Sequence, residues 1–402
     1  MATSAKASGF SIYEASVRAN AMLGAFTAYA DHVSTIYYNP AGLSELEGLH
    51  ISAGATIIAP RSSFRGPLPS SNTKHKQVAQ NFPVPNLYAS YQIADGLTAG
   101  IGVYAPFGLG TKWESDWPGR FLAVETSVET IFVNPAVAYT LPDFGIGKVQ
   151  IGAGLMVAAY GSVVLKRTVG DFVPESDFEL EGHMDKPAFG YNLGLLYSPI
   201  DDITLGFTYR SQVSVEFSGD ANFNELPEYG FPPNTSGGTT LDFPANWAVG
   251  VNVKPTDQLS LALDYVWWGW SSYDELVIEF DQTLPALGSD VLASDRAYED
   301  TYQIRFGAEY KELLVPELTG MLGFAYDKNP VPDRTLDPTL PDSDRLLFSG
   351  GVTYAINEKI EIDAAYIYIR AEERKNTTAE HGFKGVYNTY AHLPSLGITM
   401  KF

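Results

Sequence analysis

The chain of 402 residues carries 47 acidic against 26 basic residues, a formal net charge of −21, and no cysteine. That charge leaves no basic face for nucleic acid, and the absence of thiols excludes a disulfide framework or a thiolate metal site. No run of about 18 apolar residues occurs, which excludes a transmembrane helix but not a barrel, whose strands need only about 9–11 residues with alternate side chains facing lipid.

In chain order, Ala5-Lys6-Ala7 has the small-x-small form of a signal cleavage site. Residues 1–8 therefore read either as the remnant of a signal peptide or as residues added for expression. Residues 9–47 differ from the rest. From Glu14 to Ala30 the chain is rich in alanine and small residues with little alternation, and short helical or irregular structure is expected there. Strands are predicted over 49–58, 84–94, 97–105, 121–140, 147–167, 186–198, 203–218, 243–254, 258–273, 298–311, 318–327, 344–355, 359–371 and 386–402, fourteen in all. In one of them Tyr302, Ile304, Phe306 and Tyr310 alternate with Thr301, Gln303, Arg305 and Glu309; in another Leu259, Leu261, Leu263 and Tyr265 alternate with Ser260, Ala262 and Asp264. Each pattern gives a strand one apolar and one polar face.

Between the strands, brief turns such as Asp95-Gly96, Pro142-Asp143 and Asn357-Glu358 alternate with long segments at 59–83, 106–120, 168–185, 219–242, 274–297, 328–343 and 372–385. Outer-membrane barrels sort their loops in this way, with short turns at the periplasmic rim and long loops outside. The 24 Tyr and 22 Phe suit interfacial girdles. The last strand ends with Leu396, Ile398, Met400 and Phe402 on one face, which resembles the C-terminal signal read by the outer-membrane assembly machinery. The fold class is thus all-β: a fourteen-stranded antiparallel transmembrane β-barrel spanning 48–402, located in a bacterial outer membrane. A closed barrel needs no partner to cover its edges, so a monomer is expected. The acidity reads first as a solvated surface; loops holding divalent cations near lipopolysaccharide are the second reading.

The stretch SGFSIYEASVRANAMLGAFTAYADHVSTIYYNPAGLS from Ser8, with Asn39-Pro40-Ala41 after Tyr37-Tyr38, resembles the N-terminal plug, or hatch, of the FadL family of outer-membrane transporters for long-chain fatty acids and other hydrophobic compounds. Tyr104 to Trp113, followed by Gly119-Arg120-Phe121, also resembles that family. The resemblance implies a fourteen-stranded barrel with residues 9–47 as a plug in its lumen. It also implies capture at extracellular loops, binding in an apolar pocket and lateral release through a gap in the wall. Asn39 is expected to make a tight turn, its amide bonding nearby backbone.

For the opening, Ala105, Pro106, Phe107 and Gly108 end the third strand. Pro106 has no N–H to donate and glycine weakens pairing; a proline that merely starts a loop is the plainer reading. For capture, Leu109, Trp113 and Trp117, with Phe107, would offer exposed aromatic and apolar surface, or else form an interfacial girdle. For carboxylate recognition, Arg210 and Arg305 lie in the polar phase of their strands; internal salt bridges to Glu216, Glu309 or Asp264 are the alternative. The expected partners are a long-chain fatty acid or other hydrophobic molecule, with outer-membrane lipid and lipopolysaccharide around the barrel. Aromatic hydrocarbons are the alternative substrates.

No catalytic constellation, cofactor or metal site emerges. The six His have no zinc-type spacing with other ligands, and no nucleophile elbow or phosphate loop occurs. An outer-membrane enzyme such as a lipase would have to join His392 to Asp264, which no sequence feature does.

Overall fold

The computed structural model describes residues 9–169, 177–223, 234–284 and 288–402; the cleavage-site reading at 5–7 lies outside them. Fourteen strands form one closed sheet. They are β1 (Leu49–Arg65), β2 (Phe82–Ala94), β3 (Leu97–Tyr104, then Gly108–Lys112), β4 (Glu125–Thr140), β5 (Lys148–Thr168), β6 (Asp177–Met184, then Ala188–Ile200) and β7 (Ile203–Arg210, then Val213–Phe223). There follow β8 (Asn234–Phe243, then Asn246–Val253), β9 (Leu259–Trp268, then Glu275–Leu284), β10 (Ser289–Asp295, then Thr301–Tyr310), β11 (Leu318–Asp327), β12 (Arg345–Asn357), β13 (Ile360–Ala371) and β14 (Gly385–Lys401). Each strand pairs antiparallel with the next in the chain, and β14 returns to β1 from His50↔Lys401 to Arg65↔Val386. Closure joins β14 to β1, so no strand is left without a neighbour on either side, as a membrane-spanning sheet requires.

The alternation resolves as lipid outside and polar groups inside. On β10, Thr301, Gln303, Arg305 and Glu309 are buried toward the lumen, while Ile304, Phe306 and Tyr310 are exposed on the outer wall. Because the strand number is even, both ends of the sheet meet at one rim, where Leu49 and Phe402 exchange backbone bonds of 2.9 and 2.8 Å.

Two expectations need correction. The segments 168–185, 219–242 and 274–297 are not simply loops: where described, they continue β5 to β10 beyond the membrane. These extensions bury a core of their own, including Phe178, Phe223, Phe280 and Leu284, so the sheet persists where lipid no longer imposes a one-sided pattern. Second, Glu216 does not face the lumen. The interruption of β7 at Ser211-Gln212 shifts its phase by one residue, which exchanges its faces. Leu205 and Phe207 are exposed below it, whereas Val213, Val215 and Phe217 are buried above it. Glu216 thus points outward, 2.8 Å from Lys186.

Residues 9–46 lie within the ring of strands and are buried almost throughout. They form α1 (Val17–Asn20), α2 (Thr35–Tyr38) and a 3-10 turn at Pro40–Glu45. Inward groups of many strands bond to them. Thr27 N–H donates to Asp264 (2.9 Å), Arg18 to Glu309 (2.6 Å), Ser349 to the Ala21 carbonyl (2.7 Å) and Tyr88 to the Ala15 carbonyl (2.8 Å). The Asn39 amide donates to the Thr27, Leu195 and Phe207 carbonyls, and its oxygen accepts from Ala41 N–H. Gly194 and Gly206 make that approach possible, since a Cβ there would collide with Asn39 Oδ1 and the Thr27 carbonyl.

Overpacking of a well-filled interior typically costs about 1–3 kcal/mol. Gly206→Val is therefore expected to loosen residues 9–46 from the wall while the strands still pair. Protease should then cut within 9–46 faster than in the parent, with the barrel's heat-modifiable gel shift retained.

Candidate functional site

The wall is interrupted between β2 and β3. The ladder from β2 to β1 runs without a break from Phe82↔Ile58 to Tyr91↔Leu49, but the ladder from β2 to β3 begins only at Leu87↔Val103. On its other side β3 pairs with β4 both before and after Ala105, Pro106 and Phe107. The interruption is therefore a bulge that leaves a window toward β2, bounded above by a 2.8 Å bond from Val78 N–H to the Lys112 carbonyl. Pro83 and Pro85 lie on the unpaired stretch of β2. Neither has an N–H, so a sheet tolerates them where no partner strand needs a donor. The sequence reading passed over both, although two prolines within one strand are themselves a signal of an unpaired edge.

Residues 10–12 back the window from inside. Ile12 N–H donates to the Pro106 carbonyl (2.8 Å) and Gly108 N–H to the Phe10 carbonyl (3.0 Å), while Ser11 and Phe107 form an antiparallel bridge. Thr130 Oγ1 donates to the Phe107 carbonyl (2.7 Å). The N-terminal segment thus supplies part of the pairing that β2 does not.

Beside the window is a small, mostly apolar cavity of about 70 Å³, lined by Leu109, Val128, Val163, Leu241 and Ile278 among others, with Phe10 in its wall. The Phe10 ring packs edge-on against Trp270 (4.8 Å between centroids), Tyr273 (5.5 Å) and Phe107 (6.4 Å), so it stands between cavity and window. Among the described residues, one cation reaches the cavity. Arg296, in the break of β10, is buried; its Nη1 donates to Asp337 (2.8 Å) and Thr339 (3.4 Å), and its Nε has no partner. Burial pulls its pKa down, but Asp337, Tyr273 and Tyr298 outweigh that and hold it charged. The sequence reading missed Arg296 because it fell in a predicted loop rather than on a lumen-facing strand position.

The residues proposed from sequence are placed as follows. Leu109 lines the cavity. Trp113 and Trp117 are not exposed: their rings stack at 4.1 Å, and their indoles donate to the Pro338 and Ala123 carbonyls. They form a loop core with Phe64 and Phe383, because the extracellular loops are long enough to bury aromatics among themselves. Arg210 donates to the Tyr37 carbonyl and lies 4.0 Å over its ring. Arg305 donates to the Gly24 carbonyl and to Gln303 and lies 4.3 Å over Tyr13. Both therefore grip the N-terminal segment, and neither forms an ion pair to a carboxylate among the described residues. His392 faces outward, 2.5 Å from the Tyr366 hydroxyl, whereas Asp264 is inside, so the wall separates the only pair that an enzymatic reading had offered.

The whole chain, residues 1–402, matches the family model described as outer membrane protein transport protein (OMPP1/FadL/TodX). A long-chain fatty acid transport protein of Escherichia coli O6:H1 is 29% identical over 384 residues, covering 88% of this chain and 84% of the relative. The 47 kDa outer membrane protein of Pasteurella multocida is 28% identical over 100% of this chain and 96% of the relative. Among solved structures, a Pseudomonas aeruginosa FadL homologue superposes with a TM-score of 0.85 at 20% identity, covering 98% of this chain and 100% of the other. The Pseudomonas putida toluene transporter TodX does so with a TM-score of 0.73 at 17% identity, over 98% and 99%. At such identities these structures share the fold.

The loop before β12 meets the start of the N-terminal segment, where Gly9 N–H donates to Asp342 (2.9 Å). Burial pushes the Asp342 carboxyl up from 3.8 to about 6, and that of Asp344 from 3.8 to about 7. Both bind protons more tightly folded than unfolded, so their contribution favours the docked loop at low pH and is lost as pH rises through these values. Amide protection of residues 9–13, corrected for intrinsic exchange, is expected to fall between pH 5 and pH 8. The fall should be much smaller in Asp342→Asn/Asp344→Asn.

Proposed function

The chain belongs to the FadL/TodX family of outer-membrane transport proteins, and from that premise we propose a route for its cargo. As a member it is an outer-membrane transporter of hydrophobic compounds. The proposed cargo is a long-chain fatty acid taken up passively. Extracellular loops capture it, it lies in the apolar cavity beside Arg296, and it leaves sideways between β2 and β3 into the membrane. Residues 9–47 are the plug that governs this passage.

The observation that carries this reading is the window between Phe82–Asn86 and Ala105–Phe107, adjoining the cavity and backed by residues 10–12. An apolar solute gains nothing by entering water, and the periplasmic side of the lumen is a polar vestibule lined by Asp31, Glu45, Lys148, Lys254 and Lys311. A straight exit would cross that charged space; a sideways exit keeps the cargo among apolar groups. The unpartnered Nε of Arg296 would give an acid head-group a charged donor in a mostly apolar cavity. Arg296 takes this role in place of Arg210 and Arg305, which are occupied by the plug backbone. A second reading, an aromatic hydrocarbon as cargo, is favoured by the Arg296–Asp337 pair, which already balances the charge there.

Two experiments separate the parts. The register of β2 and β3, continued past Leu87↔Val103, would set position 85 opposite position 105. The chain has no cysteine, so Pro85→Cys/Ala105→Cys gives one defined cross-link. Oxidation should abolish uptake of radiolabelled oleate while leaving oleate binding intact, and reduction should restore uptake; unchanged uptake would place the exit elsewhere. Arg296→Met should weaken oleate binding about tenfold or more, as expected for loss of a charge-assisted hydrogen bond, and leave toluene binding within about twofold. An equal effect on both would assign Arg296 a structural role.

A further inference from the structure

The chain is strongly acidic, yet its cations are unevenly spread. On the outer face of β1 the side chains at Ile51, Ala53, Ala55, Ile57 and Ala59 are apolar, and those at Arg61, Ser63 and Arg65 then follow in the same phase. About ten residues separate Ile51 from Arg61. At about 3.4 Å per residue and a tilt near 40°, that is about 26 Å along the membrane normal, the height of the apolar band of a barrel. Arg61 therefore stands at the outer edge of the hydrocarbon.

The registers add further cations on the same face. Arg61 is level with Tyr390 on β14, and Tyr390 with Arg370 on β13. Above them Ser63 is level with Lys76 of the short loop strand Lys74–Lys76. In the next row Lys74, Arg65, Val386 and Lys375 lie side by side across four strands. Partners directly opposite in register share a face of the sheet, so six cations occupy one outward patch immediately above the lipid band. Glu373, 3.7 Å from Arg65, is the one carboxylate within ion-pair distance of any of them among the described residues. Elsewhere around the rim the outward extracellular positions carry exposed carboxylates, as at Glu129, Glu216 and Glu279.

We infer that this patch binds the phosphates of lipid A, the anchor of the lipopolysaccharide in the outer leaflet. Its height matches where those phosphates sit above their acyl chains. Arginine and lysine in three successive rows suit a pair of phosphates, and Tyr390, in the lowest row, and Tyr366 below it are exposed aromatics of the kind that line the interface. A lipid held there would flank the β1–β14 seam that closes the barrel. The inference needs only the outer-membrane location and stands apart from the transport route.

The test uses the full chain in detergent micelles, titrated with bis-phosphorylated lipid A, with enzymatically dephosphorylated lipid A and with inorganic phosphate, and read by native mass spectrometry. The variant is Lys74→Gln/Lys76→Gln/Arg370→Gln/Lys375→Gln, four exposed residues without a carboxylate partner among the described residues, whose folding is checked by the heat-modifiable gel shift. It should bind bis-phosphorylated lipid A at least about tenfold more weakly than the parent, as expected when several cations facing an anionic lipid surface are removed. The parent should prefer the phosphorylated form by a similar factor, and free phosphate should not compete at equal concentration. A control that removes two charges at the other rim, Lys254→Gln/Lys359→Gln, should bind as the parent does. Equal binding by parent and quadruple variant, no preference for phosphate on the lipid, or an equal loss in the control would each overturn the assignment.

Discussion

A backbone N–H or C=O facing hydrocarbon without a partner costs several kcal/mol, and the rest of this structure is arranged around that constraint. Fourteen strands satisfy it by closing on themselves from β14 to β1. The sideways release proposed for the cargo needs an exception, because a gap in the wall is a set of unpaired groups. Here the exception is confined. On the β2 side the prolines at 83 and 85 remove donors in advance. On the β3 side the bulge at Ala105–Phe107 turns its backbone toward residues 10–12, which pair with it from within. The window is thus unpaired toward β2 without leaving the whole of β3 unsatisfied.

The same logic accounts for the interior. The lumen holds many charges, among them Arg18, Glu309, Arg305 and Asp264, and buried charges are tolerated only when hydrogen-bonded. Residues 9–46 meet this need with backbone groups, as at Thr27 for Asp264 and Gly24 for Arg305, and with the side chains of Arg18 and Tyr29 for Glu309. A segment bound so widely at its middle is hard to remove as a unit. Its start is held differently, by a few backbone bonds to β3 and by Asp342. Movement confined to residues 9–12 would shift Phe10 away from both cavity and window while Asn39 keeps the remainder seated.

Much of this was legible in the sequence. Alternation along β10 and β14 and the parity of turn lengths placed the strands one for one, because lipid on one side and polar lumen on the other impose a strict period of two. Legibility ended where that solvent pair ended. Above the membrane both faces of β7 to β10 meet water or each other, so strand extensions read as loops, and the phase change at Ser211-Gln212 put Glu216 on the wrong face. Arg296 was hidden for the same reason. Arg210 and Arg305 were correctly given inward positions, yet what they bind depends on a segment more than 170 residues away, which no local pattern reveals. Pro106 was noticed, but its counterparts Pro83 and Pro85 gain meaning only once β2 is known to lie beside it.

On the proposed route, cargo passes from the cavity through the wall and not down the lumen. A diazirine-bearing palmitate, supplied to cells and photolysed during uptake, tests it directly when the adducts are mapped by mass spectrometry. Adducts are expected on Phe10, Phe82 to Asn86 and Tyr104 to Phe107. Adducts concentrated on the vestibule residues Asp31, Lys148 and Lys254, with none at the window, would contradict it.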